Sequence, residues 1–311
     1  MDLSPRLRWK LDRLKEKFSG AFGGKPEERR PRLCPACGTL VGATATRCHQ
    51  CGASMTFSLA AASKSLSKLM PESSPATYGI LTLSCLMYAI CLLWTMRISG
   101  FQMPSGGGLG GLFGFGAING QVLQRLGESG PLAYDAAQPW LFVTAIFLHG
   151  SLIHLGFNML VLMDIGPMIE EQYGSARYLF IYLLTGICGF VLSSVTFHAS
   201  VGGSGALLGL MGIVLALTAG RQSASAQMMR GQIIRWLIYV AILGLVPFFR
   251  IDNMAHLGGL ISGFLLGKIM VDRAPSSPDE RKRAQLLGWA SALLVIASFA
   301  VVLYLNLHFA G

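Results

Sequence analysis

Seven stretches of this chain are apolar enough to sit in the hydrocarbon core of a bilayer, which a helix of about 20 residues crosses. They cover residues 77–97, 151–169, 177–197, 204–219, 233–249, 253–271 and 286–309. A backbone in lipid has no water to bond and must satisfy its own N–H and C=O groups, so segments of this length are expected to be helices. The expected fold class is an all-α polytopic membrane protein. A mean hydropathy of +0.54 with only 13% charged residues excludes an ordinary soluble enzyme. The fourth and fifth stretches are short, and their ends are the least defined.

The net charge of +10 suggests an anionic partner, and its placement chooses the membrane over nucleic acid. With the N-terminus in the cytoplasm, Arg97, Arg125 and Arg250 fall outside and the other 22 of the 25 Lys and Arg fall inside. That asymmetry is what the positive-inside rule requires. It puts the C-terminus outside the cytoplasm, in a multi-pass protein of the plasma (cell inner) membrane. The first 30 residues are charged and lack the apolar core of a cleavable signal peptide.

Residues 1–30 place Leu3, Leu7, Leu11, Leu14 and Phe18 on one helix face with basic residues elsewhere. Such a segment either lies on an anionic leaflet or remains a solvated tail. Residues 31–54 hold Cys34-Pro-Ala-Cys37-Gly and Cys48-His-Gln-Cys51-Gly. Paired thiolates two residues apart, each pair followed by a glycine that permits a tight turn, are what a closed tetrahedral Zn2+ site requires. The segment has too few apolar residues to fold without its metal, so binding and folding should be coupled. His49 lies between better ligands and is expected at the surface. The segment resembles a small zinc ribbon, which implies a structural metal and a possible cytosolic protein partner. A linker, 55–75, leads to the first span. Cys85, Cys91 and Cys188 lie in apolar helices and are expected to pack. Residues 99–139 form a long outer loop whose glycine-rich middle, starting at Ser105, either dips into the interface or stays loose.

Gly202-Gly203-Ser204-Gly205 opens the fourth span. Glycines weaken a helix by about 1 kcal/mol each relative to alanine. They also expose a hydroxyl at a helix N-terminus, where unpaired N–H groups can receive negative charge. The simpler reading is a packing face, since Gly205, Gly209 and Gly212 recur at helical spacing. The second span starts at His149-Gly150-Ser151 and carries His154 and Asn158, four apart on one face. The sixth places His256 near its start, ahead of Gly259, Gly263 and Gly267. These three spans all run inward, so Ser204, His256, His154 and Asn158 are expected at one level beneath the outer surface.

A serine hydroxyl needs a base, and histidine suits that task at neutral pH. Ser204 is the candidate nucleophile and His256 the candidate general base. His154, Asn158 and the Ser204 N–H are candidate donors to a developing oxyanion. Asp164 lies at the wrong end of its helix, and Asp252 is read as a helix cap sooner than as a third member, so a dyad is expected.

The motifs His149-x4-His154-x3-Asn158, Gly202-x-Ser204-Gly205 and Ala255-His256-x2-Gly259-x3-Gly263 resemble the three signatures of the rhomboid family of intramembrane serine proteases, over residues 76–271. The resemblance implies a six-helix core with a seventh, C-terminal helix added in 272–311. It implies a Ser–His dyad in a water-filled cavity and cleavage of transmembrane substrates near their outer boundary. It also implies that no cofactor takes part in the chemistry. His149 becomes a supporting residue of the outer loop. The family commonly has Trp-Arg before the first histidine and an aromatic residue four after the serine, where this chain has Trp140-Leu141 and Leu208. A peptide bond inside a helix is shielded, so small or helix-weakening residues near the cut are expected to favour cleavage. Phe248 and Phe249 are candidates for a mobile lid. A non-catalytic scaffold that binds transmembrane segments, with the ribbon recruiting a partner, is the competing reading. A transporter is disfavoured, because the spans show neither an internal repeat nor deep charges in several helices.

Overall fold

The structure, a computed structural model, describes residues 31–34, 39–50, 54–55, 74–99, 116–196, 199–245, 251–270 and 273–309. The chain divides into two compact units, Met1–Leu69 and Met70–Gly311. Segment 1–30, Cys37, Cys51, residues 105–115, Phe248 and Phe249 lie outside the described residues.

In the first unit β1 (Arg32–Leu33) pairs antiparallel with β2 (Leu40–Val41), Arg32 opposite Val41. The Cys34 N–H donates to the Thr39 carbonyl at 2.8 Å, next to the paired strands. Cys34, Val41 and Cys48 are buried together, with Ala45 and Met55 against them.

The second unit is helical. It comprises α1 (Pro75–Ser99), α2 (Gly120–Leu126), α3 (Leu132–Ala137), α4 (Leu141–Thr144), α5 (Leu152–Tyr173), α6 (Ser175–Ser194), α7 (Ser204–Thr218), α8 (Ala224–Gly244), α9 (Asn253–Ile269) and α10 (Pro278–Phe309). Helices α1, α5, α6 and α10 are long and apolar enough to cross a membrane, so the chain is a multi-pass membrane protein. Leu93, Leu160, Ile296 and Leu303 are all at least 60% exposed along these helices, an arrangement that suits hydrocarbon tails. Each of the seven expected stretches coincides with a helix. Among these, α7 has 15 residues and α9 has 17, and α8 carries Arg230 and Arg235 within its 21.

Two expectations change. The fifth helix begins at Ala224 and not at 233, because Ser223 accepts from the Ala226 N–H and starts it early. Arg230 therefore sits in a helix, from which it donates to the Thr218 carbonyl at 2.9 Å, joining the Arg221 N–H on that acceptor at the end of α7. Residues 116–139, read as part of a loop, are also partly helical. Asn119 caps α2, and Gly127, at φ +106°, ends it in the left-handed conformation.

Glu170, in the last turn of α5, closes the start of α1. Its carboxylate accepts from the Ala76 N–H at 2.9 Å, the Thr77 N–H at 2.8 Å and the Thr77 hydroxyl at 2.7 Å. These donors belong to the first turn of α1, where N–H groups have no partner inside the helix, and a carboxylate also complements the helix dipole. The sequence alone assigned no role to Glu170.

Three helices carry the site, and glycine sets how closely they approach. A Cβ on Gly259 or Gly263 of α9 would collide with the carbonyls of Gly205 or Gly209 on α7. A Cβ at Gly189 of α6 would lie 2.7 Å from the Ala255 carbonyl, and one at Gly258 of α9 would lie 2.8 Å from the Cys188 carbonyl of α6. Without side chains at these points the backbones touch, and dispersion contact replaces the hydrophobic drive that lipid removes. Gly259→Leu is expected to lower bundle stability by ~3 kcal/mol, whereas Gly156→Ala, which meets nothing within 4 Å, leaves it unchanged or raises it slightly, as thermal melting in detergent will report. Glu170→Ala, by stranding the α1 donors, is expected to cost about 2 kcal/mol in the same assay.

Candidate active site

The loop before α7 is strapped at two points. Ser200 and Ser129 exchange backbone hydrogen bonds of 3.1 and 2.8 Å, and the Gly202 N–H donates to the Ala145 carbonyl at 2.9 Å. Ser129 is itself held by Asp135, which accepts from its hydroxyl at 2.6 Å and from the Gly130 N–H at 2.9 Å. Burial pushes the Asp135 carboxyl above its ordinary range, and these two donors pull it back. Gly202 is required twice over. Its φ of +129° strains any other residue, and a Cβ there would meet the His154 ring at 2.8 Å.

Ser204 is the first residue of α7, so its N–H belongs to the set that has no acceptor within the helix. His256 lies in the first turn of α9. Asp252 caps that helix by accepting from the Ala255 N–H at 2.9 Å, and the Ser193 hydroxyl donates to its second oxygen. The capped turn presents His256 Nε2 to Ser204 Oγ at 2.8 Å. For the serine to donate, the imidazole proton must be on Nδ1, which is buried without a hydrogen-bond partner. Asp252 is thus used as a cap, and Ser193, not His256, is the side chain bonded to it.

Ser151 caps α5 by accepting from the His154 N–H at 3.2 Å. The His154 ring lies over Gly202, beside Ser204, and His149 meets it edge-on, 5.2 Å between centroids. His149 is fully buried, and its ring nitrogens make no well-formed hydrogen bond, the Phe147 backbone offering only a partial one. It is a packing partner of His154 and not an exposed loop residue. Asn158 donates from Nδ2 to the His154 carbonyl at 2.9 Å, while its Oδ1 has no partner. One amide N–H remains to meet an anion.

The two departures from the expected motifs are both buried. Leu141 is in the core, and so is Leu208 on α7. Asp164, remote from this cluster, accepts from Gln232 and Trp236 of α8, each at 2.7 Å. The supports that the sequence did not reveal are Ser193, Ser129, Asp135 and the Ala145 carbonyl. They act through distant backbone pairings and a cap shared between two helices, which leave no local signal.

Residues 136–273 match the Rhomboid domain. The chain is 36% identical over 156 residues to "RHOMBOID-like protein 6, mitochondrial" of Arabidopsis thaliana, covering 49% of this chain and 50% of that protein. It is 33% identical over 195 residues to "Rhomboid protease GluP" of Bacillus subtilis, covering 62% of this chain and 37% of that one. It is 38% identical over 154 residues to "Rhomboid-type serine protease 2" of Emericella nidulans, covering 47% and 30%. The chain therefore spans half or less of the length of these relatives. Ser204, His256, His154, Asn158 and His149 all fall inside residues 136–273, the part of the chain that matches the Rhomboid domain.

Proposed function

We propose that the chain is an intramembrane serine endopeptidase of the rhomboid type, with Ser204 and His256 as its dyad. The observation that carries this proposal is the 2.8 Å contact between Ser204 Oγ and His256 Nε2, made by two helices whose glycines permit it. His256 Nε2 takes the serine proton as Oγ attacks the scissile carbonyl. The same imidazole then passes that proton to the leaving amine. The tetrahedral oxyanion is met by the Ser204 N–H, the free amide N–H of Asn158 and His154. Water, activated by His256, hydrolyses the acyl-enzyme. His149 supports His154, and Gly202 gives its ring room beside the serine.

The core is read as six membrane helices with α10 as a seventh, N-terminus in the cytoplasm and C-terminus outside, in the plasma membrane. At 15 residues α7 is about 22 Å long, less than the roughly 30 Å of hydrocarbon it stands in, which keeps Ser204 below the outer surface. Water reaching that depth from outside would let the site hydrolyse membrane-protein substrates near their outer boundary. Local unwinding of the substrate exposes the peptide bond. Ser204→Ala and His256→Ala are each expected to lower cleavage of a labelled single-span substrate in proteoliposomes by at least ~10³-fold without lowering the melting temperature, the double variant being no worse than either. Equal cleavage by Ser204→Ala and wild type would leave only a scaffold.

In the first unit we propose structural zinc on Cys34, Cys37, Cys48 and Cys51, with a cytosolic protein partner for the ribbon. Burial of Cys34 and Cys48 in one small cluster, and the hydrogen bond from the Cys34 N–H to the Thr39 carbonyl, fit such a site. Bound zinc supplies a four-thiolate cross-link where three buried residues are too small a core. Metal analysis of the purified chain is expected to give about one zinc per molecule, lost in Cys34→Ser.

A further inference from the structure

Gly203 has an ordinary right-handed backbone, φ −74° and ψ −4°, so conformation does not account for a glycine there. Space does. A Cβ would lie 2.5 Å from the Tyr182 hydroxyl, 3.4 Å from the Ile146 carbonyl oxygen and 3.6 Å from Asn158 Oδ1. Tyr182 of α6 therefore ends against the residue that precedes Ser204. Its side chain is fully buried, with the ring of Phe147 tilted against it at 6.4 Å. Neither the Tyr182 hydroxyl nor Asn158 Oδ1 has a hydrogen-bond partner, and both are buried.

Two buried oxygens facing one glycine are unfavourable apart and favourable together, whether they meet directly or through one water. A carboxamide oxygen can only accept, so the phenol must donate. The other end of Asn158 is partly fixed already, since one of its N–H groups is held by the His154 carbonyl at 2.9 Å.

Resting on the protease reading of this site, we propose that Tyr182 is a positioning residue for the oxyanion. Its hydroxyl donates toward Asn158 Oδ1, after a small side-chain shift or through one water, and with the His154 carbonyl at the other end it aims the remaining amide N–H toward the oxygen that gains charge beside Ser204. Gly203 is glycine because a methyl group would displace that hydroxyl. An oxyanion donor contributes only as much as its orientation is fixed before charge develops, so the hydroxyl acts on the chemical step and not on substrate binding.

The test is a double-mutant cycle in proteoliposomes, using the full chain and a labelled single-span substrate, with rates normalised to the fraction of Ser204 titrated by a fluorophosphonate. That normalisation keeps a loss of folded protein from counting as a loss of catalysis. Tyr182→Phe is expected to lower kcat on the order of 10-fold with KM unchanged, and to weaken a peptide aldehyde, whose hemiacetal oxygen occupies the oxyanion position, by a similar factor. In an Asn158→Ala background the same change is expected to have no further effect. A Tyr182→Phe enzyme with wild-type kcat overturns the proposal. So does an undiminished loss in the Asn158→Ala background, which would assign the hydroxyl to the Ile146 carbonyl or to packing. Absence of Ser204-dependent cleavage in the wild type removes the protease reading and the role of Tyr182 with it.

Discussion

The backbone contact between α7 and α9 governs everything near Ser204. Where Gly205 faces Gly259, and Gly209 faces Gly263, the two helices approach until a Cβ on the α9 glycine would strike the opposing carbonyl. Lipid offers no hydrophobic reward for helix association, so the pair is held by dispersion over a close, side-chain-free surface. The contact lies one residue after Ser204 and three after His256. It therefore sets the distance between hydroxyl and imidazole more directly than any hydrogen bond in the site. A bulky residue on this seam would act on catalysis and stability together, because one surface serves both.

Close helices bring polar groups into a region where unpaired ones are expensive, and the structure answers with shared caps. Asp252 ends α9 and also accepts from Ser193 of α6. Glu170 of α5 caps α1, and Arg230 of α8 covers the last carbonyl of α7. In the last two cases a side chain from one helix completes the end of another. The ends thereby bind the bundle together at a level where apolar surface cannot, and each cap fixes a register as well as a contact.

The outer segment between α1 and α5 is the frame for the serine loop. Asp135 holds Ser129, Ser129 pairs with Ser200, and the Ala145 carbonyl holds Gly202. The last helix joins the same frame through Asn306, which donates to the Arg125 carbonyl at 2.7 Å, and through Val302, which lies beside Gly127. The proposed role of Ser204 as a nucleophile would need its loop fixed before charge develops, and two backbone straps come from this one frame.

Hydropathy alone determined the helical class, and among the described residues each of the seven apolar stretches falls on a helix, four of them long and apolar enough to cross a membrane. Spacing determined that Ser204, His256, His154 and Asn158 were the reactive candidates, since their chemistry is a property of residue type and the glycines around them are conspicuous. The sequence misjudged the start of α8, where Ser223 begins a helix ahead of the apolar run, and it read residues 99–139 as loop although α2 and α3 are short helices within them. It had no way to show that Asp252 bonds to Ser193, that His149 is buried against His154, or that Tyr182 fills the space beside Gly203. Those relations join helices far apart in the chain, and only their packing decides which polar atoms meet. Residue type and periodicity are local properties, whereas the partner of a cap, a strap or a buried hydroxyl is settled by the tertiary arrangement.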